Sequence, residues 1–224
     1  DRGMTRLIVF LLLACSGFAA ERANIIVILS DDHRYDFMGF MEGAPEFLET
    51  PNLARMAKQG AHLKNAFVTT SLCSPSRASI LTGQFMHRHK VVDNQRAVPE
   101  GTRFFPEYLQ GAGYRTAMIG KWHLHNEPLG FDYWNILPGQ GRYFNPVMKE
   151  IGVGAKTHDG HSTDIITDLA LDWLKERRDP NKPFMLMYQH KAPHRNWQPG
   201  PKHLTMYDDV EIPEPETLFE DYAN

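Results

Sequence analysis

The sequence predicts an α/β domain with a mainly parallel sheet. Apolar, β-branched segments of strand length alternate with helix-like segments, and the strongest segments are each followed by a group of ionisable residues. The chain has 224 residues, of which 42% are hydrophobic, enough for the core of one domain or of one domain and part of a second. A net charge of −3 with both signs interspersed argues against a nucleic-acid surface.

The first predicted elements are a strand, a helix and a second strand. Residues 24–30 form a continuous β-branched run, which is typical of a strand covered on both faces. Thr50 and Pro51 open a helix that Gly60 closes. Residues 62–69 are then predicted to form a strand that leads to Cys73.

The second half of the chain continues the same alternation. A helix is predicted around residues 106–111 and a strand at 114–119. The clearest helix covers 163–178, because apolar residues recur there at helical spacing. Residues 184–188 return as a strand, and the chain shows no internal repeat.

Ionisable residues follow three of the predicted strands. These groups are 31–33 (Asp-Asp-His), 121–123 (Lys-Trp-His) and 190–194 (His-Lys-Ala-Pro-His). Because the carboxyl ends of parallel strands share one edge of a sheet, we expect the three groups to converge there with Cys73.

Residues 1–20 are predicted to be an export signal with a few upstream residues before Met4. A basic residue precedes a short apolar run and a small-residue stretch, and the run is too short for a permanent membrane span. The protein is therefore expected to be periplasmic or extracellular, without an integral membrane span. Cys15 also resembles the lipid acceptor of a bacterial lipoprotein, which is the alternative interpretation.

The run from Cys73 to Arg77 predicts an anion-handling active site. Pro75 suits the first position of a helix, Ser74 is expected to cap it, and Gly83 to end it. A nucleophile at Cys73 would then lie at the positive end of the helix, one turn from a permanent cation. The alternative is a buried structural cysteine, which is the commoner role of a lone Cys.

This run, Cys-Ser-Pro-Ser-Arg, resembles the signature of the type I sulfatases. The resemblance implies an alkaline-phosphatase-like three-layer sandwich with a mainly parallel sheet. It also implies that a formylglycine-generating or equivalent maturation enzyme oxidises Cys73 to formylglycine, whose hydrated aldehyde attacks sulfur. Residue 73 would thus be both the catalytic nucleophile and a metal ligand.

Asp31 and Asp32 are adjacent carboxylates at a strand end. Two close like charges need a cation, and hard oxygen ligands favour Ca²⁺ or Mg²⁺ over zinc. The alternative is a solvated turn or a helix cap. The resemblance to sulfatases implies that both aspartates are metal ligands, with Ca²⁺ as the expected ion and Mg²⁺ as its alternative.

Two further motifs resemble those of the same family. The resemblance implies that Lys121 contacts the sulfate, that His123 holds the aldehyde hydrate, and that His194 protonates the leaving alcohol. Arg77 would stabilise the attacking oxyanion. Physically, a lysine neutralises a bound dianion and a histidine exchanges the protons. Taken singly, these side chains are equally consistent with surface and loop positions.

A Gly-rich loop after residue 134 offers Arg142, Tyr143 and Asn145 as candidate contacts to a sugar, or is an ordinary surface loop. This loop and residues 31–36 resemble carbohydrate sulfatases of the N-acetylglucosamine-6-sulfatase and mucin-desulfating kind, which implies a sulfated carbohydrate substrate. Two alternatives stay open: a phosphatase or phosphonate monoester hydrolase of the same fold, and a non-catalytic binder of sulfated glycans.

The resemblance extends from about residue 23 to the end of the chain. The family completes its metal site with later residues, for which this sequence offers only Asp208 and Asp209 before a Pro- and Glu-rich stretch. We therefore expect residues 21–224 to be the amino-terminal part of a catalytic domain that is incomplete at its C-terminus. By itself this part is expected to bind metal poorly and to turn over little.

Overall fold

The structure is a computed structural model that describes residues 22–221. It contains one mixed sheet with helices on both of its faces. The strands are β1 (Ile25–Leu29), β2 (Arg115–Lys121), β3 (Tyr133–Leu137), β4 (Val147–Glu150), β5 (Gly154–Thr157) and β6 (Phe184–Gln189). The α-helices are α1 (Pro51–Gln59), α2 (Cys73–Thr82), α3 (Met86–His89), α4 (Phe105–Gly111) and α5 (Ser162–Asp172).

The strands are ordered β1-β6-β2-β3-β4-β5. The first four run parallel to one another, and β4 and β5 add an antiparallel hairpin at the edge. The last strand in the chain, β6, lies between β1 and β2, which brings residues about 160 positions apart into register. The predicted α/β class with a mainly parallel sheet is confirmed.

Two apolar clusters hold the helices against the sheet. On one face, residues of α2 join strand residues in a single cluster; its members include Ala78, Leu81, Met118, Met185 and Met187. On the other face, α5 and the turn after it pack on the same strands through Ile166, Ala170, Trp173, Ile119 and Leu186. Helix, sheet and helix therefore form three layers, as expected of strands that are apolar throughout.

Strand β1 is covered on one face only, so the expectation of cover on both faces is wrong within the described residues. Ile25 and Val27 pack against the α2 side, whereas Ile26 and Ile28 are 49% and 56% exposed. The physical reason is position: β1 is the edge strand of the sheet, and α5 packs near the strands farther in.

The predicted strand at residues 62–69 is also wrong. These residues form turns and irregular chain, and Phe67 is 88% exposed. An apolar run becomes a strand only where a neighbour supplies hydrogen bonds, and no described strand pairs with this one. Conversely, β3, β4 and β5 were not predicted from the sequence, and each is five residues long or fewer.

The predicted helices at 51–59 and 106–111 are confirmed as α1 and α4. The predicted helix at 163–178 is α5, which passes into a π-helical turn at Trp173–Arg177. The predicted export signal and Cys15 lie outside the described residues. Between residues 22 and 221, the structure has no helix long and apolar enough to cross a membrane.

Replacing Gly120 with alanine is expected to destabilise the fold strongly. Gly120 has φ +111°, and a Cβ there would lie 1.8 Å from the backbone oxygen of Gln189 in the paired strand β6. The clash and the backbone strain together should lower the free energy of unfolding by at least ~3 kcal/mol, measurable by thermal or denaturant unfolding.

Gly152→Ala is the matched control for this prediction. Gly152 also has a positive φ, +71°, but a Cβ at this position meets nothing within 4 Å. The control therefore carries backbone strain alone, at about 1–2 kcal/mol. Equal losses for the two variants would show that the close approach of β6 to Gly120 does not matter.

Candidate active site

The three predicted polar groups meet at one edge of the sheet. They follow β1, β2 and β6, which are parallel neighbours in the order β1-β6-β2. Backbone hydrogen bonds continue past the strand ends: His190 N–H donates to Leu29 O at 2.9 Å, and Asp31 N–H donates to Ala192 O at 3.1 Å. The segment carrying the paired aspartates is thereby fastened to the segment carrying the histidines.

Helix α2 begins at Cys73 itself, and Leu72 occupies the N-cap position. The expected Ser74 cap is wrong: Ser74 Oγ donates to the carbonyl oxygen of His123 at 2.7 Å, and its backbone N–H donates to Asn94 Oδ1 at 2.9 Å. Pro75 is accordingly the third helical residue, not the first. A buried tertiary partner has replaced the local cap, and it ties the start of α2 to the segment after β2.

A buried carboxylate with two cations lies at the centre of the site. Asp31 is 6% exposed, and Lys121 Nζ donates a hydrogen bond to its Oδ2. The guanidinium of Arg77 lies 3.5 Å from Oδ1 of the same carboxylate. One negative and two positive charges are therefore enclosed together, a net positive environment suited to an anion.

Two glutamines that sequence reasoning missed orient these cations. Arg77 donates to the carbonyl of Lys121 at 2.6 Å and to Oε1 of Gln189, which is 2% exposed. Lys121 Nζ donates to Gln140 Oε1 at 2.7 Å. One feature of the sequence could have indicated Gln189: it is a polar residue at the end of an apolar strand. Burial lowers the pKa of the Arg77 guanidinium, and the Asp31 carboxylate opposes that effect.

His194 is held in one orientation beside Asp32. Its Nδ1 lies 2.5 Å from the carbonyl oxygen of Arg195, and its Nε2 lies 3.6 Å from Asp32 Oδ2. Because a carbonyl only accepts, Nδ1 carries the hydrogen, and Nε2 is the nitrogen that faces Asp32. Tyr143 Oη adds a hydrogen bond to the backbone carbonyl of His194.

Candidate metal-binding atoms converge at the same place. One ligand atom each from Asp31, Cys73 and His194 lies within 4.8 Å of the others. Asp32 is linked to this group through its contact with His194. Residues far apart in the chain are therefore brought within reach of a single ion.

Two other histidines near the site are kept neutral by burial. Desolvation, together with the charges of Lys121 and Arg77, lowers the pKa of His123 to about 4. Desolvation alone lowers the pKa of His190 to about 4. The Nδ1 atoms of both rings are buried and have no hydrogen-bond partner among residues 22–221.

The predicted sugar contacts lie in different settings. Arg142 is exposed at the mouth of a cavity, whereas Tyr143 is buried and supports His194. Asn145 Oδ1 accepts a hydrogen bond from Gly160 N–H at 3.0 Å, so this oxygen is used in a contact within the protein. The structure therefore places Arg142 and Tyr143 at the site, whereas the Asn145 side chain is engaged in its contact with Gly160.

Comparison with known proteins gives a consistent result. The Sulfatase family matches residues 23–224. An N-acetylglucosamine-6-O-sulfatase of Bacteroides thetaiotaomicron is 47% identical over 205 residues, which cover 90% of this chain and 36% of that protein. The human N-acetylglucosamine-6-sulfatase is 30% identical over 229 residues, covering 90% of this chain and 40% of the relative.

A solved structure shares both sequence and fold. It is a complex with its substrate, D-glucosamine-2-N,6-O-disulfate, and aligns with a TM-score of 0.85 at 46% identity over 90% of this chain and 41% of its own. The chain thus spans about two fifths of the length of these relatives. The family match, the shared fold and the converging site agree, and the chain belongs to the sulfatase family.

Proposed function

We propose that this protein hydrolyses sulfate esters on a sulfated carbohydrate. The observation that carries the proposal is the meeting of Cys73, Asp31 and His194 at one point beside two buried cations. A sulfate ester needs a nucleophile, positive charge for its oxygens and a proton for the departing alcohol, and this group offers all three. The activities for which these relatives are named support N-acetylglucosamine sulfated at O6 as the substrate.

The donor set at the site fits a hard divalent cation. Asp31 and residue 73, whose ligand atoms lie close together, would hold it with the neighbouring Asp32, and carboxylate oxygens favour Ca²⁺, or Mg²⁺, over softer metals. Such an ion would supply charge for an oxyanion at the reaction centre. Lys121 contacts the same Asp31 carboxylate, so an ion bound there would compete with the ammonium for its oxygens.

The surroundings of Cys73 fit its proposed oxidation to formylglycine. That group supplies a hydrated aldehyde as the nucleophile. His123 Nδ1 is a buried nitrogen without a described partner, and a neutral imidazole is suited to exchange a proton with a hydroxyl. Arg77 is held rigidly by three partners and would orient an oxygen anion at the start of α2.

His194 would act as the general acid. Its Nδ1 hydrogen is committed to the carbonyl of Arg195, so its Nε2 is the nitrogen available to protonate the leaving alcohol. Asp32 Oδ2 lies 3.6 Å from Nε2. We also propose that residues 1–20 direct export to the periplasm or the extracellular space, as their sequence indicates.

The test uses the full gene product, produced with and without a formylglycine-generating enzyme. We expect sulfate release from N-acetylglucosamine-6-sulfate only from the matured protein, with loss on chelation and recovery on adding Ca²⁺ or Mg²⁺. Mass spectrometry of the tryptic peptide 65–77 should show an aldehyde in place of the thiol. Faster release of phosphate from the 6-phosphate would instead indicate a phosphatase, and binding without any release would indicate a glycan-binding protein.

A further inference from the structure

The start of α2, which carries residue 73, is capped by a side chain from outside the helix. The first backbone N–H groups of a helix have no partner within it, and the N-cap side chain commonly accepts one of them. Leu72, at the N-cap position, has no side-chain acceptor. Ser74 N–H donates instead to Oδ1 of Asn94, 20 positions away in the chain, at 2.9 Å. Asn94 therefore supplies the cap that the local sequence lacks.

Asn94 lies in the loop after α3, and contacts within and beside this loop hold it in place. Its backbone oxygen accepts a hydrogen bond from His125 Nε2 at 2.7 Å. The turn that carries it is closed by Asp93 Oδ1, which accepts from the N–H groups of Gln95 and Arg96 at 2.9 and 2.8 Å. Because these contacts already order the loop, the hydrogen bond to α2 costs little further conformational entropy.

The same part of the chain contacts α2 a second time, through His89. This ring is 2% exposed, and its Nδ1 accepts a hydrogen bond from Val91 N–H at 3.1 Å. Its Nε2 therefore carries the hydrogen and donates to Ser79 Oγ at 2.9 Å. Ser74 and Ser79 lie about one and a half helical turns apart. The loop is thus attached to α2 at two points, of which Asn94 holds the one at the helix start.

The start of α2 positions several groups of the candidate site together. Ser74 directly follows residue 73, and its hydroxyl donates to the carbonyl oxygen of His123 at 2.7 Å. Arg77 follows one turn later, with its guanidinium 3.5 Å from the Asp31 carboxylate. A displacement of the helix start would therefore move both residue 73 and Arg77 relative to Asp31.

We propose that Asn94 is a positioning residue for the proposed sulfatase reaction. By accepting the Ser74 N–H, it fixes residue 73 at the point where the attacking group meets the sulfate ester. It acts through Ser74 and not by contact with the substrate. This inference rests on the proposed function and adds a residue to it. Misplacing a reacting group by about 1 Å can slow the chemical step by about 100-fold, so the effect of losing Asn94 should fall on kcat.

The test compares Asn94→Ala and Asn94→Asp in the matured full gene product, with N-acetylglucosamine-6-sulfate as the substrate. Asn94→Ala removes the acceptor, and we expect kcat to fall about 10- to 100-fold while KM changes less than about threefold. Asn94→Asp keeps an acceptor oxygen of the same shape at a helix start, where negative charge is favoured. It should restore kcat to within about threefold of the parent. Mass spectrometry gives the formylglycine fraction of each preparation, and kcat is expressed per matured molecule.

Gln95→Ala is the matched control, because it shortens an amide side chain at the next position of the same loop. Gln95 is exposed, and its side chain makes no hydrogen bond among residues 22–221. The control should keep the kcat and KM of the parent, and thermal unfolding shows that all three variants are folded at the assay temperature. Parent-like kcat in Asn94→Ala, or an equal loss of kcat in Asn94→Ala and Asn94→Asp, would overturn the proposal.

Hydrogen exchange tests the same contact without any activity. The Ser74 amide, followed in the peptide 71–77, should exchange about tenfold faster in Asn94→Ala than in the parent, and at the parent rate in Gln95→Ala. If the parent releases no sulfate, the proposed function fails, and this measurement still decides whether Asn94 fixes the start of α2. Equal exchange in the parent and Asn94→Ala would show that it does not.

Discussion

Cys73→Ser is expected to lower kcat/KM for sulfate release by about 10⁴-fold or more, because it removes the reacting group itself. Serine has nearly the shape of cysteine, and the contacts that place residue 73 come from other groups, including the Ser74 hydroxyl and the His123 carbonyl. The fold should therefore survive. Serine lacks the thiol that is oxidised to formylglycine. Its side chain has one hydroxyl, so no second hydroxyl is present to expel a sulfate bound to it.

Sulfate release and thermal unfolding are measured on the same preparation of Cys73→Ser. Ser71→Ala serves as the control, since Ser71 is exposed and lies just before α2. The control should keep both activity and unfolding temperature. If Cys73→Ser retained a tenth or more of the parent activity, the assignment of residue 73 as nucleophile would be wrong.

Asp31→Asn is expected to abolish activity and to lower the free energy of unfolding by about 3–5 kcal/mol. The substitution keeps the size of the side chain but removes the counter-charge of Arg77 and Lys121. Both cations are almost fully buried, at 4% and 0% exposure, so water cannot take the place of the carboxylate. Denaturant unfolding measures the loss, and metal titration tests the binding of Ca²⁺ in parallel.

A second substitution separates the structural effect of Asp31 from its proposed metal-binding role. In the double variant Asp31→Asn with Lys121→Met, one of the orphaned cations is gone, so part of the lost stability should return while activity stays absent. Asp36→Asn is the control: its carboxylate pairs with Arg34 at the surface, where such pairs contribute little. Unchanged stability in Asp31→Asn would show that the buried cations have another counter-charge.

Local patterns in the sequence were enough to predict much of the fold. The strand β1, the helix α1 that begins at Pro51 and the periodic helix α5 depend on nearest neighbours and on turn residues, and all three elements occur where they were predicted, α5 with a π-helical last turn. The segment 62–69 has the same apolar character as a strand but lacks a partner, so it forms none. Strand pairing depends on residues that are distant in the chain, and a local sequence pattern does not include them.

The same distinction applies to the site. Chain order alone predicted that polar groups at the ends of parallel strands would converge, because those strand ends share one edge. It did not indicate that the Ser74 hydroxyl would donate to the His123 carbonyl and not cap the helix, since that contact joins residues 49 positions apart. Nor did it identify Gln189 as a partner of Arg77, which requires β6 to lie beside β2.

By itself, the sequence determined which residue types would stand at each strand end and that residue 73 would lie next to the start of a helix, because strand and helix periods act over a few residues. Only the tertiary structure decided which charges meet. Because β6 lies between β1 and β2, Asp31, Lys121 and His194 come together at one edge of the sheet. The physical reason is that burial and ion pairing depend on distance in space, which the order of strands in the sheet sets.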